Sequence, residues 1–571
     1  MTLGLLATAL LVGLLKESRS EWPRSNLWLL LWWLVVFVPV FLLQKNNLYF
    51  LPLSQAASLL VVIFAVGHIG TLQQELGREK IVVMLAGVIL VAALLQAIIG
   101  GLQLMGMASL AHGYLVYAPG AEQVNIVGNI GQRNQLAQFL AWGVFAAAYL
   151  FAVGKLRIWL VLPSMLVLTL VMAWTGGRLP LAYAATAIVL AVVWFVRTGN
   201  RRLLAILVLG ALFILLAQMG GHLIAKWLVG VDAGSGLDRL NDAGFGARRR
   251  IEWHKVFQVV QTYPWLGVGF GGFAYQSVWL EAFAGLDKIP ENALFTHSHN
   301  LITQLLAETG VPATLLAAVA VTVCLLPFFK REQSTPENAF LILIMAAILG
   351  HSMFEYPLWY LPFTTMFFMV LALSPQPLVV IPVRSMLRKT GALFLAVGTF
   401  AYLWTGAINF FQLREAVFPV ANAKANERNV DALVSISLNP FWSYEAELGL
   451  SNYLYPSRKD MVLKRQHFEQ LAAYAPYPLV LTNLAILRHW NGEQSGAHDA
   501  VVMALATYPG SASAILFRLQ SVHDASLQPL ITMVSNVVQT RNQYGDKAAA
   551  EAATRGLPVR GPQLPELARF R

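Results

Sequence analysis

The chain has 571 residues, of which 57% are apolar and only 12% charged, with a mean hydropathy of +0.60. That balance excludes an ordinary soluble domain, whose charged share is about twice as large. The net charge of +11 does not point to nucleic acid, because many basic residues fall in short loops between apolar runs, where they orient a membrane protein.

Taken in chain order, the first apolar segment, 1–15, lacks a charged leader and a small-residue cleavage site. It reads as a short membrane helix of about 22 Å and not as a removed signal peptide. Further apolar segments lie near 27–43, 51–70, 81–99, 135–153, 158–174, 180–196, 203–220, 300–327, 338–354, 357–373 and 391–411. Most approach the roughly 17–25 residues that cross a bilayer core. Cys324 lies inside one of them, so no intramolecular disulfide can form, and a small buried apolar role suits it. The expected fold is therefore all-α: a polytopic membrane protein with about twelve transmembrane helices.

Numbering the loops alternately sorts the charges. One set holds Lys16, Arg19 and Arg24; Arg78 and Lys80; Lys155 and Arg157; Arg197, Arg201 and Arg202; Lys330 and Arg331; and Arg384, Arg388 and Lys389. The short loops of the other set hold only Lys45, Arg133 and Arg178. The positive-inside rule puts the first set in the cytoplasm. Both termini and the long 221–299 segment then lie outside, which in a double-membraned bacterium is the periplasm.

Three regions are too polar and too long to be simple turns: 100–134, 221–299 and everything after 411. The expected division is a membrane domain over 1–411, with outer loops at about 100–134 and 221–299, followed by a soluble helical domain over 412–571. Within the latter, "LTNLAILRHWNGEQSGAHDAVVMALATYPGS" reads as helix, turn at Asn491-Gly492, helix and Pro-Gly stop, like one tetratricopeptide-type hairpin. A plain helical domain fits equally well, and either suits docking of a partner.

Ionisable groups at membrane helices are costly and mark function by default. In "FTHSHNLITQLLAETG", residues 295–310, His297 and His299 point the same way if the approach is extended. Three roles suit them: a metal pair, which lacks a third ligand or an HExxH companion; solvated residues beside a Ser298 or Asn300 cap; or acid–base work on a substrate, for which imidazole is suited. Glu308 is turned to the opposite face from His299 and lies roughly 13 Å along the axis, so it reads as a packing or helix-end residue. Glu355, in "GHSMFEYPLWYLP", is the better carboxylate, with His351 four residues before it on the same face and Pro357 breaking the chain after it. Arg178 lies at the outer boundary between two spans, and Arg248, Arg249 and Arg250 lie in the long outer segment. Their guanidinium forks suit phosphate oxygens or lipid head groups. The glycines of "PWLGVGFGGFAY", 264–275, carry no GK[ST] and follow no βαβ pattern, so they read as a turn and not a nucleotide loop. With no ATP motif, the energy for an outer-face reaction must arrive in the substrate.

In this order, the arginine-bearing loop, "PWLGVGFGGF" and "HSHN" entering a helix with "LLAETG" resemble the O-antigen ligase and polymerase superfamily. "VGNIGQRNQLAQFLA", 127–141, resembles the asparagine- and glutamine-rich motif of bacterial general O-oligosaccharyltransferases, the pilin-glycosylating ligases. "HSMFEYPLWY" and the helical tail are similar to theirs as well. The resemblance implies transfer of a preassembled glycan from undecaprenyl pyrophosphate to a Ser or Thr hydroxyl of a periplasmic protein such as pilin, without nucleotide, metal or other cofactor. It implies a multi-pass protein of the bacterial inner membrane, working in the lipid bilayer with its active site facing the periplasm. On that reading His299 serves the acceptor, with His297 as second choice. Arg178 with Arg249 or Arg250 holds the pyrophosphate, and Gln132, Asn134, Asn300, His351 and Glu355 line the same site. An O-antigen ligase acting on lipid A-core, an O-antigen polymerase and a lipid-linked saccharide transporter are the alternatives. A transporter should show paired inverted halves, and none is visible.

Overall fold

The computed structural model describes residues 2–14, 21–43, 50–117, 122–231, 245–380 and 385–565. Of the basic residues used to assign sidedness, Lys16, Arg19, Lys45 and Arg384 lie outside the described residues. A helix occupies every apolar segment: α1 (Thr2–Leu14), α2 (Arg24–Leu43), α3 (Phe50–Gly67) with the short α4 (Ile69–Leu76), α5 (Arg78–Leu104), α6 (Arg133–Ala152), α7 (Ile158–Trp174), α8 (Leu179–Thr198) and α9 (Arg201–Val229). After α10 (Phe245–Thr262) and α11 (Phe273–Phe283) come α12 (Leu301–Leu325), α13 (Pro336–Ser352), α14 (Leu361–Ala372) and α15 (Ser385–Ala416). Among the described residues, eight helices are long and apolar enough to cross a membrane, or up to nine if a bent pair in the tail counts as one span. The count of about twelve is met only if the shorter apolar helices at 2–13, 158–174, 336–352 and 361–372 also cross.

These helices start and stop where local chemistry tells them to. Gln132, Asn200, Asn300 and Thr335 each accept a backbone N–H of the first turn of α6, α9, α12 and α13. Gly199 and Gly230 close α8 and α9 in the left-handed conformation. Helix α6 is the centre of the bundle, packed against α5, α7, α9 and α13. Its small residues allow close crossings: a Cβ at Gly143 would come within 2.5 Å of the Ala93 Cβ.

One end of the bundle is tied by side chains on carbonyls. Arg78 donates to the Leu373 carbonyl (2.8 Å) and to the Asn338 side chain, Arg197 to Phe329 (2.9 Å) and Trp194 to Thr335 (2.9 Å). Histidine 299, the arginines 178 and 249 and Glu355 lie at the other end, where α6, α8 and α12 begin and α13 stops.

The tail is helical, with α16 (Ala423–Ser437), α17 (Ser443–Leu450), α18 (Met461–Ala472), α19 (Pro478–Trp490), α20 (Gln494–Thr507), α21 (Ala512–Gln520) and α22 (Gln528–Thr554). The hairpin read from the sequence is α19 and α20, turning at Gly492 with φ +85° and stopping at Pro509. Its core is continuous with that of the long loop: Val256, Phe273, Val278 and Phe283 pack in one cluster with Phe468, Leu484, Val501 and Val534. An extended segment after α22 straps the two together. Arg560 forms a bidentate pair with Asp499 (2.7 Å each), lies 3.7 Å over the Phe283 ring, and donates its N–H to the Phe283 carbonyl. Helices α10 and α11 are thus held on the tail side by apolar burial and on the inside by charge.

Candidate active site

Helix α10 carries the triple arginine, and the structure separates its members. Arg248 is buried and pairs with Glu252 (2.7 Å) and Glu281 (3.0 Å), while Lys255, fully buried, pairs with the same two carboxylates at 2.7 and 2.6 Å. This network clamps α10 to α11 and fixes the rotation of α10. Arg249, the next residue round the helix, is thereby aimed at Glu355, NH2 to Oε1 3.4 Å. Arg250 is exposed.

Glu355 is the meeting point. Its Oε1 also accepts from Asn134 Nδ2 (3.2 Å), and its Oε2 faces His299 Nε2 at 4.0 Å. The three partners come from the first turn of α6, from α10 and from the loop before α12. Burial holds the Glu355 carboxyl above its ordinary pKa, opposed by the Arg249 charge and the Asn134 amide. Arg249 is pushed down by burial and by Arg178, with Glu355 acting the other way. Arg178, just before α8, thus adds a second positive charge to the surroundings of Arg249.

The histidine turn is built tightly. Trp253 of α10 donates its indole N–H to the Ser298 carbonyl (3.0 Å), and the Ser298 N–H donates to Gln304 Oε1 (2.7 Å). His299 then takes φ +56°, rare for a residue with a side chain. Its Nδ1 donates to the His297 carbonyl (3.1 Å), which leaves the lone pair on Nε2, the atom facing Glu355. Burial pushes His299 down to about 4, with the Arg249 charge adding to it, and pushes His297 down to about 3. The imidazole is neutral at ordinary pH, so the 4.0 Å approach to Glu355 is no ion pair in the resting site. Its acceptor nitrogen faces the cluster.

The remaining residues expected at the site take supporting places. Asn300 caps α12 through the N–H groups of Ile302 and Thr303 and donates to the Met353 carbonyl (3.1 Å), tying the histidine turn to the loop that carries Glu355. Gln132 caps α6 through the Gln135 N–H (2.7 Å) and so presents Asn134. His351 and Glu355 remain one helical turn apart just past the end of α13 at Ser352, the Glu355 N–H bonding to the His351 carbonyl (2.9 Å); the His351 side chain is fully buried and bonds to Gln138. Glu308 accepts the Gly271 N–H (2.9 Å), as its packing role requires. The glycine-rich turn crosses α12 there. A Cβ at Gly310, which has φ +78°, would meet the Trp265 carbonyl at 2.4 Å.

Sequence reasoning missed Gln103, Gln138 and Tyr356. Gln103 is buried near the end of α5 and accepts from the N–H groups of Val127 and Gly128 (3.0 and 2.8 Å), holding the asparagine-rich loop. Gln138 lies one turn beyond Asn134, a spacing that was readable. Among the described residues, no group of three or more His, Cys, Asp or Glu is arranged to hold a metal ion.

Three family models match successive stretches of the chain. Residues 126–151 match a protein glycosylation ligase model, 163–318 an O-antigen ligase model, and 339–520 the C-terminal part of a virulence factor membrane-bound polymerase. A general O-oligosaccharyltransferase from Acinetobacter baylyi is 24% identical over 303 residues, covering 50% of this chain and 49% of that protein. The chain thus aligns with about half the length of that relative. No solved structure matches. These findings bear out the resemblance to the O-antigen ligase superfamily and its protein glycosylation ligases.

Proposed function

We propose, for a chain that resembles the protein glycosylation ligases, that it is an O-oligosaccharyltransferase moving a preassembled glycan from undecaprenyl pyrophosphate to Ser or Thr hydroxyls of a periplasmic, pilin-like protein. It works from the inner membrane with this site facing the periplasm. The observation that carries the reading is the convergence of Asn134, Arg249 and His299 on one carboxylate, Glu355, from separate stretches of chain.

Arg178 and Arg249 hold the pyrophosphate and offset the charge it gains as it leaves, with no metal or nucleotide called for. The acceptor oxygen attacks the anomeric carbon, the bond to the pyrophosphate oxygen breaks, and its electron pair leaves with the pyrophosphate. The acceptor proton passes to Nε2 of His299, a contribution of typically 10²–10⁴-fold. Glu355 steadies the imidazolium that forms and, before donor arrives, occupies Arg249. Arriving pyrophosphate would draw Arg249 away from Glu355 and leave that carboxylate to His299.

The polymerase and ligase matches favour one second reading, transfer of the same donor to a sugar hydroxyl. Purified full-length chain given lipid-linked glycan separates the two. Glycan appearing on a pilin-like protein supports the first reading. Glycan appearing only on lipid A-core or on a second lipid-linked repeat overturns it.

A further inference from the structure

The backbone of the histidine turn is fixed by Trp253, Gln304 and Asn300, but a fixed backbone does not fix an imidazole plane. The torsion that turns a histidine ring is broad and roughly two-fold, and a half-turn puts a carbon where each ring nitrogen was. The hydrogen bond from Nδ1 to the His297 carbonyl picks between those two states, and packing must hold the plane in which that bond forms. The ring that touches both histidines is Tyr356. Its centroid lies 4.4 Å from that of His297 at 9° between planes, a flat stack, and 5.3 Å from that of His299 at 78°, an edge contact. Tyr360 stacks against Tyr356 in turn, at 6.2 Å and 24°, and Trp359 meets His297 edge-on at 5.0 Å. Phe295 abuts His299 at 5.6 Å and 61°.

Adjacent residues therefore address the two sides of one base. Glu355 faces Nε2, while Tyr356 sets the plane in which that nitrogen lies. We propose that Tyr356 is a positioning residue: stacked between His297 and Tyr360, it holds the His299 ring with Nδ1 on the His297 carbonyl and Nε2 toward the acceptor. The proposal rests on the reading of His299 as the acceptor-side base. Both contacts are made by the aromatic ring, so the ring and not the hydroxyl is what positioning requires.

The test uses the purified full chain with lipid-linked glycan and acceptor protein, and the variants Tyr356→Phe and Tyr356→Leu, the second keeping apolar bulk. The Phe variant should transfer within about twofold of the parent. The Leu variant should lose roughly tenfold to a hundredfold in kcat, with KM for both substrates within about twofold, as a misplaced base does. In ¹⁵N-histidine spectra, the single Nδ1–H form of His299 should persist in Tyr356→Phe and give way to a mixture in Tyr356→Leu. Wild-type kcat for the Leu variant would overturn the proposal, as would an equal loss in the Phe variant or a lost rate with an unchanged tautomer. If the parent chain transfers nothing, the functional reading fails, while the tautomer spectra still decide whether Tyr356 sets the ring.

Discussion

The contact between Arg249 and Glu355 gives the most quantitative test of how the site is wired. Their nearest atoms are 3.4 Å apart, and the side chains are only 14% and 12% exposed. At an effective dielectric near 20, unit charges at such a distance attract by about 5 kcal/mol. Partial burial taxes both charges, and Asn134 shares the same carboxylate oxygen, so a net coupling of about 1.5–3 kcal/mol is expected. That is roughly a tenfold to hundredfold departure from additivity. The assay is kcat/KM for lipid-linked glycan in the parent, Arg249→Gln, Glu355→Gln and the double variant. Because arriving pyrophosphate draws the pair apart, each single variant is already relieved of the cost of breaking it, and the activity of the double variant should fall below the level set by the sum of the two single losses by that coupling. Effects that add to within about 0.5 kcal/mol would refute the wiring.

Other consequences follow from the same contacts. Since His299 is pushed down to about 4, the acid limb of kcat/KM should have its midpoint near 4; a midpoint at about 6.5 would contradict the buried, neutral base. Pyrophosphate brings negative charge beside the ring and raises its pKa, so the acid limb of kcat should lie above that of kcat/KM. Both His297 and His299 are depressed, so their contribution to stability is full above about 6.5 and is lost as pH falls through about 4 and 3, measurable in urea titrations of the purified chain. Lys255→Met should cost about 3–5 kcal/mol in melting experiments, because Glu252 and Glu281 lose a buried cation. Gln103→Leu should strip hydrogen-exchange protection from Val127 and Gly128 at about 1–3 kcal/mol per lost partner; unchanged protection there would show that Gln103 does not hold the loop.

Much of this was legible in the sequence. Apolar runs of span length became helices, because length and hydropathy leave a buried chain few alternatives. Helical geometry correctly kept Glu308 away from His299, and the Asn491-Gly492 turn and Pro-Gly stop bounded α19 and α20 as written. What local patterns could not carry was long-range pairing. Nothing near "ARRR" says that Arg248 is spoken for by Glu281, thirty-odd residues later, and that contact is what frees Arg249 for Glu355. The i,i+4 spacing of His351 and Glu355 persists as a backbone turn past the end of α13, but it could not show that the His351 side chain turns to Gln138 while Glu355 turns to Arg249. The shared core of α10, α11 and the tail was equally hidden, since it joins stretches of chain some two hundred residues apart.

The most direct measurement is the intact mass of a pilin-like acceptor after incubation with the purified chain and undecaprenyl-pyrophosphate-linked glycan, run beside His299→Ala. The account predicts a mass gain of one glycan per modified hydroxyl with the parent chain, persisting in the presence of a chelator, and a fall of roughly 10²–10⁴-fold in rate with the variant. Glycosylation by His299→Ala at the parent rate, or an acceptor whose mass never changes while a lipid-linked sugar acceptor grows, would contradict it.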